Sequence, residues 1–118
     1  MKKYQVTIEK DEQFEKTICK AENMKEARKL TKEAYKGQNI KIVSCYEMVS
    51  VQIEDIAKTD FSRACLNELK REGVKVGDIV HGTLNRKNWA VDFISKETGT
   101  DCMAWLGTTC RLLFYLEK

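Results

Sequence analysis

An amphipathic helix that begins after Asn23 is the feature that most constrains the fold of this chain. Asn23 is a favoured N-cap residue, and Glu26 stands three positions later, where its carboxylate can reach back to the cap. Small and apolar residues follow at helical spacing and form one stripe: Met24, Ala27, Leu30, Thr31, Ala34 and Tyr35. Gly37 can supply the left-handed residue that ends a helix. The stripe has to be buried against a sheet or a second helix.

Three strand-like runs surround this helix and predict a sheet for it to pack on. Residues 4–8 alternate apolar with polar side chains, which is typical of a strand with one buried face. Residues 14–21 alternate again after a short polar turn, so the two runs predict an antiparallel hairpin. Residues 40–46 return to strand character, and the whole segment therefore predicts a ββαβ unit. The inward candidates of the second run are Phe14, Ile18 and Cys19.

Several short features of residues 1–48 also occur together in a known family. They are a Lys-Lys-Tyr start, a Val-Thr-Ile strand, an Ala-Glu-Asn approach to a helix that carries Glu-Ala, and a closing strand. In these features the segment resembles the DpnD/PcfM-like domain of proteins from phages, plasmids and other mobile elements. The resemblance implies an accessory gene of a mobile element in a low-GC bacterium. It offers no catalytic motif to carry over.

Residues 49–118 predict a second unit, closely packed on the first. Apolar residues at 49, 51 and 53 either extend the preceding strand or open the next helix. A helical stripe and a stop at Gly73 favour a helix over at least Asp60–Arg71. The remainder has strand character, and no proline or low-complexity linker separates the two units.

Four strands are predicted after this second helix. Residues 74–80 suggest a bent strand with a turn at Gly77, and three further runs follow at 89–94, 102–106 and 111–116. The predicted fold class is therefore α+β, with an N-terminal ββαβ unit followed by a helix and a four-stranded antiparallel curled sheet or small barrel. Residues 74–84, VKVGDIVHGTL, are similar to the opening strand of OB-type and SH3-like barrels, which implies a fold that often binds nucleic acid.

The charge balance bounds the class of partner. The chain carries 21 Lys and Arg against 18 Asp and Glu residues, a net charge of +3. Residues 1–48 hold eleven basic and eight acidic residues, whereas residues 49–118 hold ten of each. This mild bias permits a nucleic-acid partner and argues against an acidic mimic of nucleic acid. No apolar run reaches the roughly 20 residues that cross a bilayer, so we expect a cytoplasmic protein with no membrane partner.

The cysteines and the single histidine do not indicate a catalytic or metal site. Five cysteines without a C-x-x-C pair predict reduced, mostly buried thiols rather than a disulfide framework. His81, Cys102 and Cys110 have the right atoms for zinc, but their spacing matches no zinc motif. Phosphate-binding glycine loops and hydrolase motifs do not occur in the sequence either. We therefore expect a protein that is not an enzyme and has no cofactor.

The best candidate for binding a protein partner is a cluster of two cations and an aromatic residue between predicted strands. Arg and Trp are the residue types that most often dominate the energy of protein interfaces. Tyr115 is added because the last strand can be a sheet edge, open to a partner or to a second copy in a homodimer. The candidate partner-binding residues are Arg86, Lys87, Asn88, Trp89 and Tyr115.

These features together predict a small, non-enzymatic binding protein of a mobile genetic element. Its expected mode of action is protein–protein interaction, in the sharper version as an anti-CRISPR-like inhibitor of a host defence system. The alternative is a nucleic-acid-binding module that uses the Lys-rich helix and the barrel-like second half. Its candidate residues are Lys25, Arg28, Lys29, Lys32, Arg86 and Lys87.

Overall fold

Two helices and seven strands make up the part of the chain that the computed structural model describes, residues 1–116. They form two compact units: residues 1–48 together with residues 115–116, and residues 49–114. The elements in chain order are β1 (Lys2–Lys10), β2 (Gln13–Ala21), α1 (Met24–Ala34), β3 (Ile40–Ile53), α2 (Asp60–Arg71), β4 (Ile79–Asn85), β5 (Ala90–Ile94), β6 (Asp101–Trp105) and β7 (Cys110–Tyr115).

The first unit has the predicted ββαβ order, with β1 paired antiparallel to both β2 and β3. Tyr4 lies opposite Cys19 on one side and Glu47 on the other, and the register between β1 and β3 shifts by one residue between Thr7 and Ile8. Helix α1 packs on β1 and β2. The fully buried core of this unit consists of Tyr4, Val6, Ile8, Ala21, Ala27 and Cys45.

The predicted start of α1 is confirmed. The Asn23 side chain accepts a hydrogen bond from the Glu26 backbone N–H at 2.8 Å, which satisfies one of the unpaired donors of the first turn. The Glu26 carboxylate reaches back to the backbone N–H of Glu22 rather than to that of Asn23. Gly37 follows the helix with a φ of +86°, the conformation that favours glycine.

The predicted inward face of β2 is wrong for two of its three residues. Phe14 is 68% and Ile18 58% exposed, whereas Cys19 is half-buried and packs against the core. The register of the β1–β2 hairpin explains the difference, because it aligns Cys19 with the buried Tyr4 and Ile18 with the outward Gln5. A period of two lets the turn decide which set of residues faces the helix.

All seven strands belong to one antiparallel sheet that is not closed. Its order is β2-β1-β3-β4-β5-β6, and β7 pairs with β3. The α+β class is confirmed, but the separate four-stranded curled sheet or small barrel after α2 is wrong. The reason is the length of β3, which runs through 14 residues to Ile53 and serves as the pairing partner of both β4 and β7.

The second helix is confirmed over Asp60–Arg71. Thr59 caps it by accepting from the Ser62 backbone N–H, while the Ser62 hydroxyl accepts from the backbone N–H of Thr59. The same hydroxyl donates to Asp55 at 2.7 Å, and this hydrogen bond is the main reason that the pKa of Asp55 lies below its ordinary value.

The predicted strand over residues 74–80 begins too early. Val74 lies in the turn that closes the C-terminal end of α2, since its backbone N–H donates to the Leu69 carbonyl at 2.9 Å. Lys75 and Asp78 then close a turn, because the Asp78 carboxylate accepts from the Lys75 backbone and the Asp78 N–H donates back to the Lys75 carbonyl. Strand β4 therefore starts only at Ile79. Residues 74–78 do not form the first half of the strand that the similarity to OB-type and SH3-like barrels implied.

Candidate functional site

The hairpin tip between β4 and β5, residues 86–89, is shaped by two asparagines. Asn85 lies opposite Ala90 as the last strand pair, and its side chain accepts from the Lys87 backbone N–H at 3.0 Å. The Asn88 side chain accepts from the Ala90 backbone N–H at 3.1 Å. Asn side chains commonly hold turns in this way. Asn88, a predicted contact residue, therefore has a structural role in forming the tip.

Trp89 occupies an unusual position on this tip. Its φ is +59°, in the left-handed region that bulky side chains rarely adopt, and its side chain is 48% exposed. The Trp89 carbonyl accepts from the Leu106 backbone N–H at 2.8 Å, which helps to hold the residue in place. Strained backbone costs about 1–3 kcal/mol and is found disproportionately at functional sites. A half-exposed tryptophan in that conformation points to a contact surface.

Arg86 lies beside this tryptophan. Its guanidinium carbon is 5.9 Å from the centre of the Trp89 ring, within the range of a cation–π contact. Lys87 is exposed next to the pair. The structure therefore brings three of the predicted residues, Arg86, Lys87 and Trp89, to one solvent-facing tip that carries positive charge and an aromatic surface.

Tyr115, the fifth predicted contact residue, belongs to the first unit, whereas the hairpin tip belongs to the second. The Lys2 ammonium lies 4.1 Å from the centre of the Tyr115 ring, and the same ammonium pairs with Glu47 at 3.4 Å. Tyr115 is half-buried and its strand neighbour Phe114 is 52% exposed. Of these two neighbours on β7, Phe114 rather than Tyr115 is the more exposed to solvent.

Helix α1 presents the cations predicted for a nucleic-acid site. Lys25, Arg28, Lys29 and Lys32 are all exposed, and they line a shallow depression of about 810 Å³ on one face of the helix. Lys36 extends the same face, and Glu33 is the acid among its lining residues. The sequence contains the signal for Lys36, because it stands four residues after Lys32. The other two residues of that prediction, Arg86 and Lys87, lie in the second unit.

The cysteines and His81 do not form a common site. All five cysteines are free, and Cys45, Cys102 and Cys110 are buried, which confirms the prediction of mostly buried thiols. Burial raises the pKa of Cys110 to about 12, so this thiol stays protonated at neutral pH. His81 instead has its Nδ1 2.5 Å from the hydroxyl of Ser50, which is fully buried. Within residues 1–116 no group of three His, Cys, Asp or Glu side chains could hold a metal ion.

A groove between α2 and β6 escaped the sequence analysis. It has a volume of about 660 Å³, and the rings of Phe61 and Trp105 approach to 6.4 Å between centroids at one end of it. Phe61 is 58% and Met103 42% exposed, although both lie within regular elements. Apolar residues at these positions are a sequence signal for a binding surface. The sequence does not show, however, that α2 and β6 are neighbours.

Comparisons with protein-family models, with curated proteins and with solved structures yield no match for this chain. Over the described residues, no helix has the length and apolar character that crossing a membrane requires.

Proposed function

We propose that this chain is a non-enzymatic binding protein that contacts a protein partner through its hairpin tip. The observation that carries the proposal is Trp89, a large aromatic residue held half-exposed in a left-handed backbone conformation. A folded chain gains little from such an arrangement, because glycine or asparagine would fit the turn with less strain. Burial of the exposed indole against a partner would supply the missing stabilisation.

The neighbouring arginine supports a protein partner in particular. The Arg86 guanidinium carbon lies 5.9 Å from the ring centre, and Trp and Arg are both among the residue types enriched at interface hot spots. A partner surface with an apolar pocket and an adjacent carboxylate would match both groups. The buried Ser50 next to His81 favours binding over catalysis, because a fully buried hydroxyl is not accessible as a nucleophile.

The resemblance of residues 1–48 to the DpnD/PcfM-like domain suggests the biological setting of this interaction. In a mobile element, a small binding protein can act by blocking a host defence nuclease, in an anti-CRISPR-like manner. This sharper proposal predicts that the purified chain lowers the cleavage rate of such a nuclease in proportion to the fraction bound. Cleavage that is unaffected at saturating concentrations of the chain would limit the proposal to binding alone.

Affinity capture with matched variants tests the proposed partner surface. The tagged chain and its Trp89→Ala variant would be exposed to a lysate of a low-GC bacterial host, and retained proteins would be quantified by mass spectrometry. Phe14→Ala is the control, because Phe14 is an even more exposed aromatic residue in the other unit. We expect one protein to be retained by the wild type and Phe14→Ala, and to fall at least about tenfold with Trp89→Ala. Equal retention by all three would refute the proposal.

A nucleic-acid-binding function is the second candidate, and the cationic face of α1 favours it. Lys25, Arg28, Lys29 and Lys32 lie exposed along one side of the helix. If each neutralises one phosphate, affinity for DNA would fall about a hundredfold between about 50 and 200 mM salt. Replacement of these four by Gln should flatten the salt dependence, whereas the control Lys70→Gln/Lys75→Gln should not. Absence of binding at low salt would exclude this function.

A further inference from the structure

We infer that the α2–β6 groove binds an extended, basic segment of a partner protein, which adds as a strand to the outer edge of β6. The groove combines an unpaired strand edge, an apolar lining and an acidic rim. This site is distinct from the hairpin tip and does not depend on the function proposed for Trp89.

The outer edge of β6 offers backbone hydrogen-bonding groups. In the strand order given above, β6 stands at the end of the sheet and pairs only with β5 among the described strands. Two hydrogen bonds, from Ser95 to Thr100 and from Leu106 to Trp89, show which residue pairs bond across the β5–β6 ladder. Because bonded and non-bonded pairs alternate, Asp101 and Met103 direct their N–H and C=O groups to the outer side.

The same alternation limits the length of the partner strand that can pair with the outer edge of β6. Trp105 also faces outward, but its N–H already donates to the Thr109 hydroxyl at 2.8 Å and its carbonyl accepts from the Thr109 N–H at 2.9 Å. The open part of the edge is therefore Asp101 to Met103, with two donors and two acceptors. Such an edge fits a short added strand, in the mode by which peptides extend exposed sheets.

Apolar side chains line the groove beside this edge. Phe61 and Trp105 form an aromatic pair at one end, and Met103 and Leu69 lie along its length. Leu69 is buried, whereas Phe61 and Met103 keep 58% and 42% of their surfaces in solvent. Alternate side chains of an added strand would point into this lining, and the side chains between them would point outward.

The charges around the groove select a basic occupant. Glu68, Glu72 and Asp101 lie among the lining residues against one cation, Arg71. Hydrogen bonds from Thr98 and Thr100 hold the pKa of Glu72 below its ordinary value, so this carboxylate stays ionised at neutral pH. A second copy that paired through its own β6 would bring the same carboxylates together, and a nucleic acid would meet them with its phosphates. A partner segment of alternating apolar and basic residues has neither conflict.

Fluorescence anisotropy with three labelled peptides tests this inference directly on the full chain. The probe is a short peptide of alternating Val and Lys, and the controls are a Val/Glu peptide and a Val/Lys peptide with N-methylated backbone amides. We expect the Val/Lys peptide to bind at least about tenfold more tightly than either control, because one control reverses the charges and the other cannot form the ladder. Equal binding of the Val/Lys peptide and its N-methylated form would overturn the inference.

Two protein variants locate the site. Met103→Pro removes an outward N–H at an edge position that tolerates proline, and we expect about tenfold weaker binding of the Val/Lys peptide. Met103→Leu keeps both the N–H and the apolar side chain, and should stay within about twofold of the wild type. Unchanged binding in Met103→Pro would place the peptide elsewhere, and an equal loss in Met103→Leu would show that the side chain rather than the backbone N–H is recognised; either result would overturn the inference. The N-methylated peptide gives the same decision without a variant if Met103→Pro unfolds the chain.

Self-association provides the remaining alternative outcome. The mass of the chain would be followed by light scattering over a range of concentrations, with and without Met103→Pro. We expect a concentration-independent mass. A dimer that disappears with Met103→Pro would identify a second copy as the occupant of the groove and would contradict a partner segment.

Discussion

The sheet has two outer ends, β2 in the first unit and β6 in the second, and both have a helix beside them. Along β2, Lys16 and Lys20 are exposed and flank Ile18, and the neighbouring helix α1 shows solvent a face of cations. Along β6, an apolar groove separates the edge from α2, and its rim is acidic. Lysines on an edge strand are a common protection against unwanted strand pairing.

The comparison shows that an edge strand with a helix beside it can have either a charged surface or an apolar groove. Helix α1 packs on two strands, covers the core beneath it and leaves a mostly charged surface. Helix α2 packs against β6 but leaves a groove beside it. The first end is thus suited to solubility or to an anionic ligand, and the second end to an extended basic segment.

Gly82→Ala should have the largest effect on this comparison. A Cβ atom at Gly82 would lie 2.1 Å from the Asp92 carbonyl oxygen, so β4 and β5 would have to separate. We expect the free energy of unfolding to fall by more than about 2 kcal/mol, with loss of Val/Lys peptide binding. Gly37→Asn in the first unit is the control, because asparagine tolerates the left-handed conformation and nothing lies within 4 Å. Urea unfolding measures both. Equal stability of the two variants would contradict the close β4–β5 approach.

Removal of the edge lysines tests whether the β2 end is protected by charge. In Lys16→Thr/Lys20→Thr the exposed Phe14 and Ile18 remain, and the edge loses the charges that oppose pairing. We expect association at concentrations about tenfold lower than for the wild type, measured by light scattering. Lys70→Thr/Lys75→Thr, on exposed residues of the other unit, should leave the mass unchanged. An unchanged mass in Lys16→Thr/Lys20→Thr would show that these charges do not protect the β2 edge against association.

The two helix caps should differ by a smaller amount. Thr59 takes part in a reciprocal pair with Ser62, whereas Asn23 makes a single side-chain hydrogen bond to Glu26. Either residue changed to Ala should lower the free energy of unfolding by about 1 kcal/mol, with Thr59→Ala the more costly of the two. Denaturant unfolding at neutral pH provides the ranking. A larger loss in Asn23→Ala would show that the pair with Ser62 adds nothing.

The smallest effect is a pH dependence that belongs to the second unit. The Ser62 hydroxyl lowers the pKa of Asp55 below its ordinary 3.8. At acidic pH, Asp55 therefore binds fewer protons in the folded chain than in the unfolded chain. The resulting stabilisation is present above pH 3.8 and is lost as the pH falls through the folded-state pKa. Asp55→Asn should therefore flatten the acid limb of a melting-temperature profile. An identical acid limb in the variant would assign that limb to other carboxylates.

Local chemistry was sufficient to predict the helices, because caps and stripes are encoded by neighbouring residues. Asn23 and the span Asp60–Arg71 lie where the sequence places them. The exposure of the Phe14 and Ile18 side chains could not be predicted in the same way, because the register of the hairpin determines which face of β2 is buried.

Long-range pairing accounts for the other errors. The strand β7 pairs with β3 across more than 50 residues of sequence, and no local pattern distinguishes that arrangement from a closed barrel. The α2–β6 groove has the same origin, because Phe61 and Trp105 meet only in the fold. At the hairpin tip, by contrast, Arg86 and Trp89 are close in sequence, and the structure brings them together as a local motif allows.

The most direct test of the proposed function is the affinity of the captured partner for three forms of the chain. Isothermal titration calorimetry would compare the wild type, Trp89→Ala and Phe14→Ala, with circular dichroism to verify that all three are folded. The hairpin-tip proposal predicts that Kd rises at least about tenfold for Trp89→Ala and stays within about twofold for Phe14→Ala. Equal Kd values for the wild type and Trp89→Ala would contradict it.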